Sequence, residues 1–161
     1  MNKAFLSGVA AVAALGISTA SAVELDGKKG IGAAAGIGGV QGLAFNYGTG
    51  NLAVEGLLNA KMGLPKEGDS TTDINLGLGA HFMALRADKA AFSVGGRLSF
   101  GLPNEGDTTI GLDIPTRVYW FADEHVSFHF ESGIRVANVT GDDKAIGLFD
   151  STQTVGATFW W

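Results

Sequence analysis

The chemistry open to this 161-residue chain is narrow, since it has three histidines and no cysteine. Without cysteine there is no thiolate nucleophile and no disulfide framework. His81, His125 and His129 do not follow a metal-ligand spacing, and no Ser/His/Asp set can be assembled with a histidine in the long loops, which contain none. Neither a catalytic residue nor a bound metal is therefore expected. The run Gly30 to Gly36 could be mistaken for a phosphate-cradling loop, but it lacks the preceding strand and following helix that give such a loop its chemistry. No cofactor is expected. The 11 basic residues are outnumbered by 16 acidic ones, which argues against nucleic acid as a partner. Glu67, Asp69, Asp73, Glu105, Asp107, Asp142 and Asp143 offer the carboxylate oxygens that hard cations prefer, yet none of their loops has a calcium-binding spacing. They read as a solvated acidic rim. The charges that stand out are Arg97, Asp113, Arg117, Glu131 and Arg135, which sit inside otherwise regular segments. Their chemistry is ion pairing.

Those segments alternate with a period of two, the signature of strands with one apolar face. The clearest are Ile74 to Phe82, Phe92 to Phe100, Ile110 to Trp120 and Val126 to Val136. Val40 to Tyr47 and Leu52 to Ala60 follow the same rule, Gly30 to Ile37 is a small-residue strand, and a last strand follows Lys144 and ends at Trp161. That makes eight. Short turns follow the second, fourth and sixth strands, and longer loops follow the third, fifth and seventh. Pro115 lies inside the sixth strand, where its missing N–H predicts a bulge. A change of apolar parity predicts another irregularity near Phe149 to Gln153.

The two faces differ in kind. One is large, apolar and aromatic; the other mixes Gly and Ser with Glu55, His81, Arg97, Asp113, Arg117, His129, Glu131 and Arg135. Charges are tolerated in a dry interior only when paired. Folding the fifth and sixth strands about Glu105 sets Arg97 opposite Asp113. Folding the sixth and seventh about Glu124 sets Asp113 opposite Arg135 and Arg117 opposite Glu131; folding them about Asp123 makes both pairs diagonal neighbours. Either register gives one interior cluster, with Asp113 between two arginines as its expected keystone. Glu55 and the histidines are available to balance it across the lumen, and the Gly and Ala of the first strand are expected to leave room for the arginines.

Tyr47, Phe82, Trp120, Phe121, Phe159 and Trp161 fall near the ends of even-numbered strands, and Phe92 near the start of an odd one, so a meander brings them to one level. Such a belt has the composition of a membrane-interface girdle. At the amino end, Lys3, an apolar run from Ala4 to Ile17 and Ala20-Ser21-Ala22 read as a secretory signal peptide cut after Ala22.

The closing alternation of Val155, Ala157, Phe159 and Trp161, together with the loop asymmetry, resembles the small eight-stranded outer-membrane β-barrels of the OmpA, OmpX and OmpW kind. The resemblance implies an all-β fold, an antiparallel up-and-down transmembrane barrel over residues 23–161 after a leader over 1–22. It further implies a bacterial outer-membrane location, contact with outer-membrane lipid and lipopolysaccharide, and passage through the outer-membrane assembly machinery. Tyr47, Phe82, Trp120, Phe159 and Trp161 would serve assembly and the girdle. The expected role is non-catalytic, structural or surface-interacting, with a polar interior that plugs the barrel. A narrow conduit or binder for small hydrophobic molecules and a soluble periplasmic carrier of the lipocalin type are the alternatives.

Overall fold

The computed structural model describes residues 23–38, 40–63, 71–139 and 146–161. Eight strands follow in chain order: β1 (Lys29–Ile37), β2 (Gly42–Thr49), β3 (Leu52–Gly63), β4 (Thr71–Arg86), β5 (Ala90–Leu102), β6 (Thr109–Phe121), β7 (Val126–Val139) and β8 (Ile146–Trp160). Each pairs antiparallel with its neighbour in sequence, and β1 pairs with β8 from Gly30↔Trp160 to Ile37↔Gln153, which closes the barrel. Closure leaves no unpaired sheet edge. All eight expected strands are present, and β4 continues past Phe82 to Arg86.

The period of two becomes a difference between inside and outside. Leu43, Phe45, Leu78, Leu98, Ile114, Phe130 and Val155 face out, while Glu55, His81, Arg97, Asp113, Arg117 and Glu131 are buried within. Two irregularities among the described residues adjust this parity. Met83↔Ser93 is followed by Leu85↔Phe92, so Ala84 is an extra residue that lets Phe82 and Leu85 both face out while Met83 turns in. On β8, three residue steps from Asp150 to Gly147 match two on β7 from Arg135 to Ala137, at the near edge of the stretch where the parity change predicts an irregularity.

Pro115 causes no bulge, contrary to expectation. The β6–β7 register runs without a shift through Pro115↔Gly133. On the other side the β5–β6 pairing passes from Val94↔Thr116 to Arg97↔Asp113, skipping Gly95 and Gly96 without changing register. The missing N–H thus costs a short gap in one ladder and leaves the register unchanged on both sides.

The segment before β1 reads in sequence as a polar lead, yet it crosses the end of the barrel where the short turns lie. Gly27 N donates to Gly48 O at 2.9 Å, Gly48 N donates to Lys28 O at 2.9 Å and Gly50 N donates to Asp26 Oδ1 at 2.7 Å. Leu25 is thereby driven into a cluster with Ala53, Met83, Ala91, Tyr119, Phe121 and Trp160. At the same end Asp123 Oδ1 accepts from the backbone N–H groups of His125 and Val126, both at 2.8 Å, which fixes the β6–β7 turn and holds its carboxyl below the usual carboxylate range. Leu25→Ala should cost about 2–5 kcal/mol in denaturant unfolding of the detergent-folded protein. A loss of a few tenths of that would mean the segment does not stopper the barrel.

Candidate functional site

The interior is built in layers. Beyond the apolar stopper at the short-turn end lies a layer of charge contributed by β3, β4, β5, β6 and β7. Arg117 is its centre: Nη2 reaches Glu131 Oε2 at 2.6 Å, Nη1 reaches Glu55 Oε2 at 2.8 Å, and Nη1 donates to the Tyr119 hydroxyl at 3.0 Å. Arg97 Nη2 lies 2.6 Å from Glu131 Oε2 and 3.2 Å from Glu55 Oε1. Arg135 grips Asp113 with two bonds, Nε to Oδ1 at 2.6 Å and Nη2 to Oδ2 at 3.0 Å, and Nη2 also donates to Ser99 Oγ at 3.0 Å. Such two-pronged guanidinium–carboxylate pairs are the strong form of the interaction. Three guanidinium groups thus face three carboxylates, and the layer is formally neutral.

The registers explain how the sequence reaches this arrangement. Arg97↔Asp113, Asp113↔Arg135 and Arg117↔Glu131 are direct cross-strand partners. The structure brings all five cluster residues together and joins Glu55 to them from across the lumen. The weight falls elsewhere than on Asp113, however. Its carboxylate is 3.7 Å from Arg97 Nη1, farther than either glutamate is from the same guanidinium, so Asp113 holds Arg135 and only flanks Arg97. Arg117 and Glu131 are the true junction.

Room for the arginines comes from strands next to them and not from β1. A Cβ on Gly77 would lie 3.2 Å from Arg97 Cδ, and one on Gly79 would lie 3.2 Å from Arg97 Cβ. The small residues of β1 serve its seam with β8 instead: a Cβ on Gly30 would sit 2.9 Å from the Trp160 ring, and one on Gly32 would sit 2.2 Å from Ala157 O.

Glu55, His81 and Glu131 place one ligand atom each within 4.8 Å of one another, the donor types of a metal site. Both carboxylates are already held by Arg97 and Arg117, so an added divalent cation would face two guanidinium groups at close range. What the group does is electrostatic. His81 Nε2 stands 3.6 Å from Glu55 Oε1, His129 packs its ring 5.8 Å from that of Tyr119, and His125 Nδ1 is 3.0 Å from Trp160 O. Among the described residues no histidine is hydrogen-bonded to a Ser or Thr hydroxyl.

The aromatic level is at the short-turn end. Tyr47, Phe82, Trp120, Phe159 and Trp161 all face outward there, with Trp120 stacked 5.7 Å from Phe128 and Phe159 6.3 Å from Trp161. Phe121 departs from the expected belt: it points inward and stacks 6.0 Å from Tyr119. Sequence reasoning also passed over Trp160. It is 1% exposed against 56% for Trp161, and its Nε1 donates to Ser127 Oγ at 2.8 Å. Strict alternation from Phe159 was the signal that could have found it. Of the acidic residues expected at the rim, Glu67, Asp69, Asp142 and Asp143 lie outside the described residues, as do residues 1–22, where a leader is expected.

No protein-family model and no curated protein sequence matches the chain. Among solved structures it is similar to the outer-membrane expressed OmpT of Vibrio cholerae, with 13% identity and a TM-score of 0.38 over 74% of this chain and 40% of that one. OmpT folded in vitro gives 13% and 0.36 over 74% of this chain and 39% of that one. Ail, the attachment invasion locus protein of Yersinia pestis, gives 12% and 0.39 over 84% of this chain and 99% of that one. The chain therefore spans about 40% of the OmpT length. The fold rests on the strand registers themselves.

Proposed function

We propose that this chain is a non-catalytic β-barrel of the bacterial outer membrane, its lumen plugged by its own side chains, with a structural or surface-interaction role. The observation that carries the reading is the inverted polarity of the barrel. Every strand turns large apolar side chains outward, from Ile31 on β1 to Phe159 on β8, while the charged residues Glu55, Arg97, Asp113, Arg117 and Glu131 are buried. In water, an apolar band that continues around the whole circumference would be far larger than soluble monomers expose. Lipid removes that penalty, and strands of 9 to 16 residues, with β2 one residue shorter at 8, match the ~9–11 that a tilted transmembrane strand requires. The soluble-carrier alternative needs the reverse arrangement. A conduit for hydrophobic molecules needs an open apolar lumen, where this one is crossed by Arg97 and Arg117.

Within this reading the leader over 1–22 directs export, Tyr47, Phe82, Trp120, Phe159 and Trp161 form the girdle at one interface, and the partners are outer-membrane lipid, lipopolysaccharide and the assembly machinery. Fractionation should recover the protein with the outer membrane, and the unboiled sample should migrate differently from the boiled one because an intact barrel resists detergent. In planar bilayers the purified protein should show no steady porin-like conductance. Recovery as a soluble periplasmic protein would overturn the membrane reading, and steady conductance would overturn the plug.

A further inference from the structure

We infer that the long-loop end of the barrel is a binding site for a small uncharged polyol, a single neutral sugar ring being the best fit. The site is a hollow of about 280 Å³ above the charge layer. Two glycines open it. A Cβ on Gly101 would lie 3.2 Å from Asn75 Oδ1, and one on Gly111 would lie 2.6 Å from Ser99 Oγ and 3.4 Å from Arg135 Nε, so any larger residue there would project into the space. The volume is just below the roughly 300–1,000 Å³ of pockets that take drug-sized ligands.

Its polar groups are convergent and incompletely used. Arg135 spends Nε and Nη2 on Asp113 and Ser99, which leaves Nη1 without an acceptor among the described residues. Asp73 accepts from Asn104 N through Oδ1 at 3.1 Å, and its Oδ2 has no hydrogen-bond donor among the described residues. Asn75 and Thr109 add an amide and a hydroxyl, and Val40 and Pro103 supply apolar wall. Donors and acceptors thus share the lining of a partly apolar hollow, the combination that ring hydroxyls and a C–H face require. Charge narrows the class further. The Arg135 charge is already matched by Asp113, and the β3–β4 register sets Asp73 opposite Lys61, so neither wall offers a free counter-charge: an anion would meet the carboxylate of Asp73 and a cation the guanidinium of Arg135. A ligand without charge avoids both penalties.

The same chemistry is offered by a free sugar and by a terminal sugar of a surface glycan. The test uses the detergent-folded full barrel, its folding verified by heat-dependent gel mobility, so it is independent of where the protein resides. Saturation-transfer NMR would be recorded with methyl glucoside, with glucuronate, with glucosamine and with a neutral oligosaccharide of glucose. Saturable binding of methyl glucoside above both charged sugars is the expected result and identifies a free-sugar site; binding of the oligosaccharide alone supports the same site with a glycan as its source. Gly101→Val, which fills the hollow without removing a hydrogen-bonding group, and Asn75→Leu should each weaken binding about tenfold or more while keeping the folded mobility. Absence of saturable binding of every uncharged probe, preference for a charged sugar, or binding unchanged in both folded variants would overturn the assignment.

Discussion

Arg117→Met should lower the unfolding free energy of the detergent-folded barrel by about 3–5 kcal/mol, among the largest losses expected from a single side chain. The size follows from its position, since it is the residue that touches Glu131, Glu55 and Tyr119 together. Without it, two buried carboxylates share the one guanidinium of Arg97, and one negative charge is left unmatched. Adding Glu131→Gln to Arg117→Met restores formal neutrality and should recover part of the loss, a coupling that a double-mutant cycle reads directly. Asp113→Ala should cost less than Arg117→Met, because Arg97 keeps both glutamates and the partly buried Arg135 keeps Ser99. Equal costs for the two variants, or no coupling in the cycle, would mean that the layer is a set of separate pairs.

Removing Phe159 to Trp161 should prevent closure altogether, so that no heat-modifiable species forms. The truncation deletes both backbone bonds between Lys29 and Trp161, at 3.0 and 2.9 Å, and the Gly30↔Trp160 and Ile31↔Phe159 pairs at the seam. It also empties the space that Trp160 fills beside Leu25 and Phe121. An apolar loss of that kind typically costs about 3–5 kcal/mol for one aromatic ring, before the seam is counted. Trp160→Ala alone, which keeps the seam residues, should fold but unfold more readily. A truncated chain with normal heat-dependent mobility would contradict this account of closure.

What could be read in advance divides along physical lines. Strand number, face assignment and the pairs Arg97↔Asp113, Asp113↔Arg135 and Arg117↔Glu131 depend on local alternation and on turn position, and both are written in the sequence. Contacts across the lumen are not, because they depend on how far the barrel brings non-neighbouring strands together. Glu55 on β3 reaches Arg117 on β6 only after closure, which is why the centre of the charge layer moved from Asp113 to Arg117. Leu25 was obscured for another reason. It lies among Glu24, Asp26, Lys28 and Lys29, where no periodicity marks a single buried side chain, and its burial follows from the backbone bonds to Gly48. Phe121 was misplaced because it adjoins Trp120, and in a strand adjacent residues face opposite ways.

The central claim, that the apolar outside faces lipid and the polar inside does not, can be tested with the three tryptophans the chain already carries. Single-tryptophan proteins that retain Trp120, Trp160 or Trp161, the others replaced by Phe, would be folded into bilayers containing brominated lipid. Trp120 and Trp161 are half exposed on the outer face and Trp160 is enclosed by the barrel. Strong quenching of Trp120 and Trp161 with little quenching of Trp160 is the predicted result. Comparable quenching of all three, or of none, would contradict it.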